Sequence, residues 1–124
     1  MPPKRILLID DEISIHVIVR ISLQTEANWM TLTATSGTEG LAQATNKLPD
    51  AILLDIMLPD TDGNSVLHQL QANPRTQNIP VILLTAQADA DMLAPASMRL
   101  AAGMIAKPFD SLTLAEQIAM LLGW

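Results

Sequence analysis

The sequence predicts an α/β fold, a doubly wound parallel sheet in which five strands alternate with five helices, and three observations carry the prediction. Short apolar runs at Ile6–Ile9, Ala51–Leu54 and Ile79–Leu84 each stop at a polar residue, the pattern of strands buried on both faces. Between them lie segments with helical start and stop signals. Parallel neighbours need a crossover, and a helix is its usual form. The central run is Ala51-Ile52-Leu53-Leu54-Asp55, with turn residues on both sides. It places the Asp55 carboxylate at the carboxyl end of a strand, the edge where open parallel sheets bind ligands.

In chain order, Ile6–Ile9 runs straight into Asp10-Asp11-Glu12. The stretch from Ile13 to Leu23 is apolar at every odd position, which suits a strand, and offers Ile13, Val17 and Ile21 at helical spacing. The need for a crossover decides for a helix. Met30 to Thr35 alternates in polarity and reads as a strand nearer an edge. Ser36-Gly37-Thr38-Glu39 is a capping box for a helix bearing Leu41, Ala42, Ala44 and Leu48, which stops before Pro49.

Asp62 can cap a helix bearing Val66, Leu67 and Leu70 that ends by Asn73-Pro74. Ile79 to Leu84 is the next buried strand and stops at Thr85. Pro95 is tolerated only in a first helical turn, so the following helix starts near Ala94 and runs towards Ala102, with Gln87 to Leu93 as a loop. Met104-Ile105-Ala106 is a short strand ending at Lys107-Pro108. Ser111 to Leu122 is the last helix, with Leu114, Ile118, Leu121 and Leu122 on one face.

The 124 residues suit a single domain over 1–124. The chain is 49% hydrophobic but has only Trp29, Phe109 and Trp124 as aromatics, so the expected core is Ile, Leu, Val, Met and Ala. The seven methionines read as core filler. A net charge of −6 without a basic run argues against direct nucleic-acid binding. Cysteine is absent, and no run approaches the ~18 apolar residues of a membrane span. Neither end looks like a signal peptide or a linker. These features give the expectation of a cytoplasmic protein that does not engage a membrane.

Right-handed crossovers would bring Asp10, Asp11, Asp55, Thr85 and Lys107 to one edge of the sheet. Like charges about 4 Å apart repel by roughly 4 kcal/mol at an effective dielectric of ~20. A cation offsets that cost, and oxygen ligands suit Mg2+. Lys107 supplies an ammonium and Thr85 a hydroxyl for anionic oxygens. Together these groups have the makings of phosphoryl transfer to an aspartate.

Four motifs in order make the chain resemble the receiver domains of two-component response regulators. They are Ile6 to Glu12, Leu54-Asp55-Ile56-Met57-Leu58-Pro59-Asp60-Thr61-Asp62-Gly63, Ile79 to Ala86, and Lys107-Pro108-Phe109. The resemblance covers essentially the whole chain. It implies a flavodoxin-like (βα)5 fold with strand order 2-1-3-4-5. It also implies that Asp55 accepts a phosphoryl group from a phosphohistidine on a sensor histidine kinase or phosphotransfer protein, and that this switches binding to a downstream partner or output domain. Asp10, Asp11, Asp55 and the backbone carbonyl of Met57 match Mg2+ ligands, Asp11 directly and Asp10 largely through water. Thr85 and Lys107 match groups that bind the phosphoryl oxygens, and Lys107-Pro108 matches a cis peptide bond. Such a domain assists its own phosphorylation and hydrolysis and is otherwise not an enzyme.

The chain departs from the family at Met104, where relatives carry Tyr, Phe or His, at Leu100, where Gly is common, and at Pro95. All three bear on the usual output face, formed by the fourth helix, fifth strand and fifth helix. A dehalogenase-type phosphatase would need an Asp where Met57 stands. A mononucleotide binder would not place Asp10-Asp11-Glu12 after its first strand. A receiver-like domain used only for docking is the remaining alternative. His16 and His68 read as ordinary histidines away from the edge, Asp60 and Asp62 as turn and cap residues, and Gln87 as a residue that affects water access.

Overall fold

The computed structural model describes residues 3–86 and 94–124. The expectations for Gln87 to Leu93 and for Met1-Pro2 lie outside the described residues. The elements are β1 (Arg5–Ile9), α1 (Ile13–Ala27), β2 (Met30–Ala34), α2 (Gly37–Lys47), β3 (Ala51–Asp55), α3 (Gly63–Ala72), β4 (Val81–Ala86), α4 (Pro95–Leu100), β5 (Gly103–Lys107) and α5 (Leu114–Leu122). Every strand pairing is parallel, and the order is β2-β1-β3-β4-β5, as expected for a flavodoxin-like sheet.

The pleat sends successive side chains to opposite faces, so the central strands feed two cores. Leu7, Ile9, Ile52, Leu54 and Leu83 pack with Ala44, Val66, Leu67 and Leu70 of α2 and α3. Ile6, Leu8, Leu53, Ile82 and Leu84 pack with Val19, Leu23, Leu114 and Ile118 of α1 and α5. Each fully buried aliphatic side chain contributes about 1.5–3 kcal/mol.

Start signals fall where the sequence puts them. Ser36 Oγ accepts from the Glu39 amide, and Glu39 Oε1 accepts from the amide of Thr35. Asp62 Oδ1 accepts from the Ser65 amide at the start of α3. Pro95 opens α4, which ends earlier than expected because the Ala102 amide turns to the Val81 carbonyl at 2.7 Å and enters the sheet. β4 starts at Val81 instead of Ile79, since Pro80 has no amide to donate. The expected first turn of α5 is a turn built on Asp110, whose Oδ1 accepts from the Leu112 amide and whose carbonyl accepts from Thr113.

Four packing expectations are overturned. α1 is a helix, but Ile13, Val17 and Ile21 face solvent, and the buried stripe is His16, Val19, Ser22 and Leu23. Met30, Met57, Met98, Met104 and Met120 are exposed, so no methionine enters the core among the described residues. In α2 only Ala44 of the expected face is buried, and Leu48 is the exposed, left-handed C-cap. In α5, Leu121 is exposed as well.

At the amino-terminal edge of the sheet, Trp29 and Trp124 meet edge to face, centroids 5.3 Å apart, and Lys4 Nζ lies 4.4 Å from the Trp124 centroid. No helix among the described residues is long and apolar enough to cross a membrane.

Candidate functional site

The register builds the site. Ile9 pairs with Leu54, so Asp10 and Asp55 come next on adjacent strands. Asp55 pairs with Leu84, Thr85 with Ala106, and Ala86 with Lys107. Carboxylate oxygens of Asp10, Asp11 and Asp55 lie within 4.8 Å of one another. Lys107 Nζ donates to Asp10 Oδ2 at 2.8 Å and to Asp55 Oδ2 at 3.2 Å. Asp10 Oδ1 accepts from the Glu12 amide at 2.9 Å, and Asp55 Oδ1 from the Met57 amide at 3.2 Å.

Asp10 and Asp55 are buried, whereas Asp11 and the Met57 side chain are exposed. Thr85 is buried at the same edge, with its hydroxyl donating to the Ala86 carbonyl at 2.9 Å. The structure thus gathers Asp10, Asp11, Asp55 and Lys107, with Thr85 beside them on β4. The Lys107-Pro108 bond is cis.

Burial raises the Asp55 pKa; the Met57 amide opposes that, the Asp10 charge adds to it, and Lys107 opposes it. For Lys107, burial pulls the pKa down, but Asp10 and Asp55 together outweigh it and the ammonium is held above its ordinary value. One ammonium therefore faces three carboxylates, a surplus of negative charge. The clustered donors are all hard oxygens, a set that fits Mg2+. Both oxygens of Asp10 and both of Asp55 already accept hydrogen bonds, which leaves Asp11 as the freer ligand.

Two residues were misjudged or undervalued in the sequence. His16 is buried, and its Nε2 lies 2.5 Å from the Asp10 carbonyl oxygen, so it supports this edge instead of lying away from it. Only its position, six residues after Asp10 on the helix that follows, could have signalled this. His68 is exposed, as expected. Asp62 is the α3 cap, while Asp60 reaches across to α2.

A family model described as the response regulator receiver domain matches residues 6–119. The DNA-binding dual master transcriptional regulator RpaA of a Synechocystis species is 36% identical over 95% of this chain and 48% of its own length. Sporulation initiation phosphotransferase F of Bacillus subtilis is 32% identical over 89% of this chain and 86% of its own. The receiver domain of sensor histidine kinase PA1611 of Pseudomonas aeruginosa, solved with a magnesium ion in its active site cleft, superposes with a TM-score of 0.85 at 25% identity, covering 99% of this chain and 100% of that one. The chain spans about half the length of several curated regulators it matches.

Proposed function

The chain belongs to the response regulator receiver domain family, and on that premise we propose that Asp55 accepts a phosphoryl group from a phosphohistidine of a sensor histidine kinase or phosphotransfer protein. The observation that carries this reading is the Asp55 carboxylate, buried among Asp10 and Asp11 and bonded to Lys107 at 3.2 Å. A Mg2+ ion held by Asp10, Asp11, Asp55 and the Met57 carbonyl would neutralise charge on the transferring oxygens. An Asp55 carboxylate oxygen bonds to phosphorus as the bond from phosphorus to the donor imidazole nitrogen breaks, and the imidazole takes a proton from solvent.

Lys107 is placed to follow the charge. Its ammonium bridges Asp10 and Asp55, and an arriving phosphoryl oxygen offers it a further charged acceptor. Thr85 can exchange the Ala86 carbonyl for a phosphoryl oxygen by rotating its hydroxyl. Such a change at the end of β4 would alter how a downstream protein or output domain binds. In this reading residues 1–124 are one receiver domain that works in the cytoplasm, contacts no nucleic acid or membrane itself, and catalyses only its own phosphorylation and hydrolysis.

Incubation with Mg2+ and acetyl phosphate, followed by intact-mass analysis, tests the proposal. The wild type should gain one acid-stable, hydroxylamine-labile phosphate, and Asp55→Asn none. Equal labelling of the two would remove Asp55 from its role.

A further inference from the structure

Asp60 takes no part in the chemistry above, yet its carboxylate is fully engaged. Its Oδ1 accepts from the Gly37 amide at 2.8 Å. Its Oδ2 accepts from the Thr38 amide at 3.0 Å and from the Thr38 hydroxyl at 2.7 Å. These are the first two amides of α2, and Ser36 Oγ takes the third at Glu39. The helix start is filled by an acid from a distant loop as well as by its own cap.

The loop that carries Asp60 is closed across its base. Met57 and Asp62 form an antiparallel bridge, and the Gly63 amide donates to the Ile56 carbonyl at 2.9 Å. A Cβ on Gly63 would lie 2.7 Å from the Ile56 Cα. A Cβ on Gly37 would run into the Thr61 side chain and meet Asp60 Oδ1 at 3.3 Å. The loop therefore sits against α2 only because position 37 lacks a side chain.

We propose that Asp60 is a positioning residue for the cation site: it clamps the Met57–Asp62 loop to the start of α2 and so fixes the Met57 carbonyl. The inference rests on the proposed reading of that carbonyl as a ligand. Asp60 could instead act only by adding negative potential near the acids. The two roles separate because a charge effect is screened by salt and a geometric one is not. Gly37→Ala separates them further, since it pushes the loop away and changes no charge.

The experiment is calorimetric titration of the full chain with Mg2+ alone, at about 0.05 and 0.5 M salt, with amide exchange followed without metal. Asp60→Ala and Gly37→Ala should each bind Mg2+ about tenfold more weakly at both salt levels, the usual effect of removing a group that orients ligands. Asp60→Asn, which keeps one acceptor oxygen, should fall between. Without metal, the Met57 amide should exchange faster in Asp60→Ala. Wild-type affinity in Asp60→Ala, unchanged exchange at Met57, or a loss that vanishes at high salt and spares Gly37→Ala would each overturn the inference. Those results leave the site reading intact, because the wild type still binds. A wild type with no saturable Mg2+ binding would overturn both.

Discussion

The carboxyl edge of the sheet and the face made by α4, β5 and α5 are built on different principles. At the edge, few atoms do the work and each has a named partner: Asp10 meets Lys107, Glu12 and His16, and Asp55 meets Lys107 and Met57. On the other face, Met98, Leu100, Met104, Met120 and Leu121 are exposed apolar side chains, and α4 is only six residues long. Directional bonds fix one geometry, whereas unbranched methionines accommodate several. Substitution of Met98, Leu100 or Met104 removes none of the side-chain bonds that hold the edge. By the sequence resemblance, the edge carries the residues expected of the family, while Pro95, Leu100 and Met104 on the face depart from it.

The edge is most sensitive at Lys107, which bonds to both Asp10 and Asp55. Lys107→Ala removes a preorganised donor and should slow phosphorylation of Asp55 by about a hundredfold, as measured by intact mass against time with acetyl phosphate. A rate within threefold of wild type, by contrast, would mean that the bonds to Asp10 and Asp55 are structural only. Asp11→Asn comes next. It should abolish most Mg2+ binding and, by relieving crowding among Asp10, Asp11 and Asp55, raise the metal-free melting temperature. A lower melt would contradict the repulsion argument.

The face offers the opposite test. A ligand shifts a conformational equilibrium only through its different affinity for the two states. With flexible Met104 in place of a ring, beryllofluoride should move amide signals near Asp55 strongly and those of β5 and α5 weakly. Met104→Tyr should extend the shifts across α5. Large cooperative shifts in the wild type, no greater in the variant, would sink the idea. The smallest effect concerns acid. The Asp60 carboxyl is lowered from 3.8 to about 2, first by the Thr38 hydroxyl and then by the Thr38 and Gly37 amides. Its contribution is therefore complete above pH 3.8 and is lost as pH falls towards about 2. Amide shifts of Gly37 and Thr38 should follow that titration, and a midpoint near 3.8 would show that the bonds are weak in solution.

Much of the sheet and the acidic edge was legible because both rest on local signals. Apolar runs give buried strands, and a polar residue at the end of each run marks the edge. The failures came where the sequence is apolar without direction. In α1 hydrophobic residues occur all round, so periodicity could not say that Val19 and Leu23 face the core while Ile13, Val17 and Ile21 face water. Hydropathy likewise placed the methionines inside, where Leu and Ile fill the space. His16 and Asp60 were undervalued for another reason. His16 meets a backbone carbonyl, and Asp60 meets two backbone amides and the Thr38 hydroxyl 22 residues away; a sequence carries no mark of which backbone group will be left free or which distant loop will reach it.

The Trp29–Trp124 pair has a practical consequence for anyone who studies the chain by light. These are its only tryptophans, and both sit beyond the amino-terminal ends of the strands, with Lys4 over the Trp124 ring. A five-residue strand, about 17 Å long, separates that end from the acids. Intrinsic emission will therefore report the closure of the carboxy-terminal segment onto the body and stay silent on events at Asp55. The right-angled rings, 5.3 Å apart, should also couple and give a paired band in circular dichroism that vanishes when the last helix peels away.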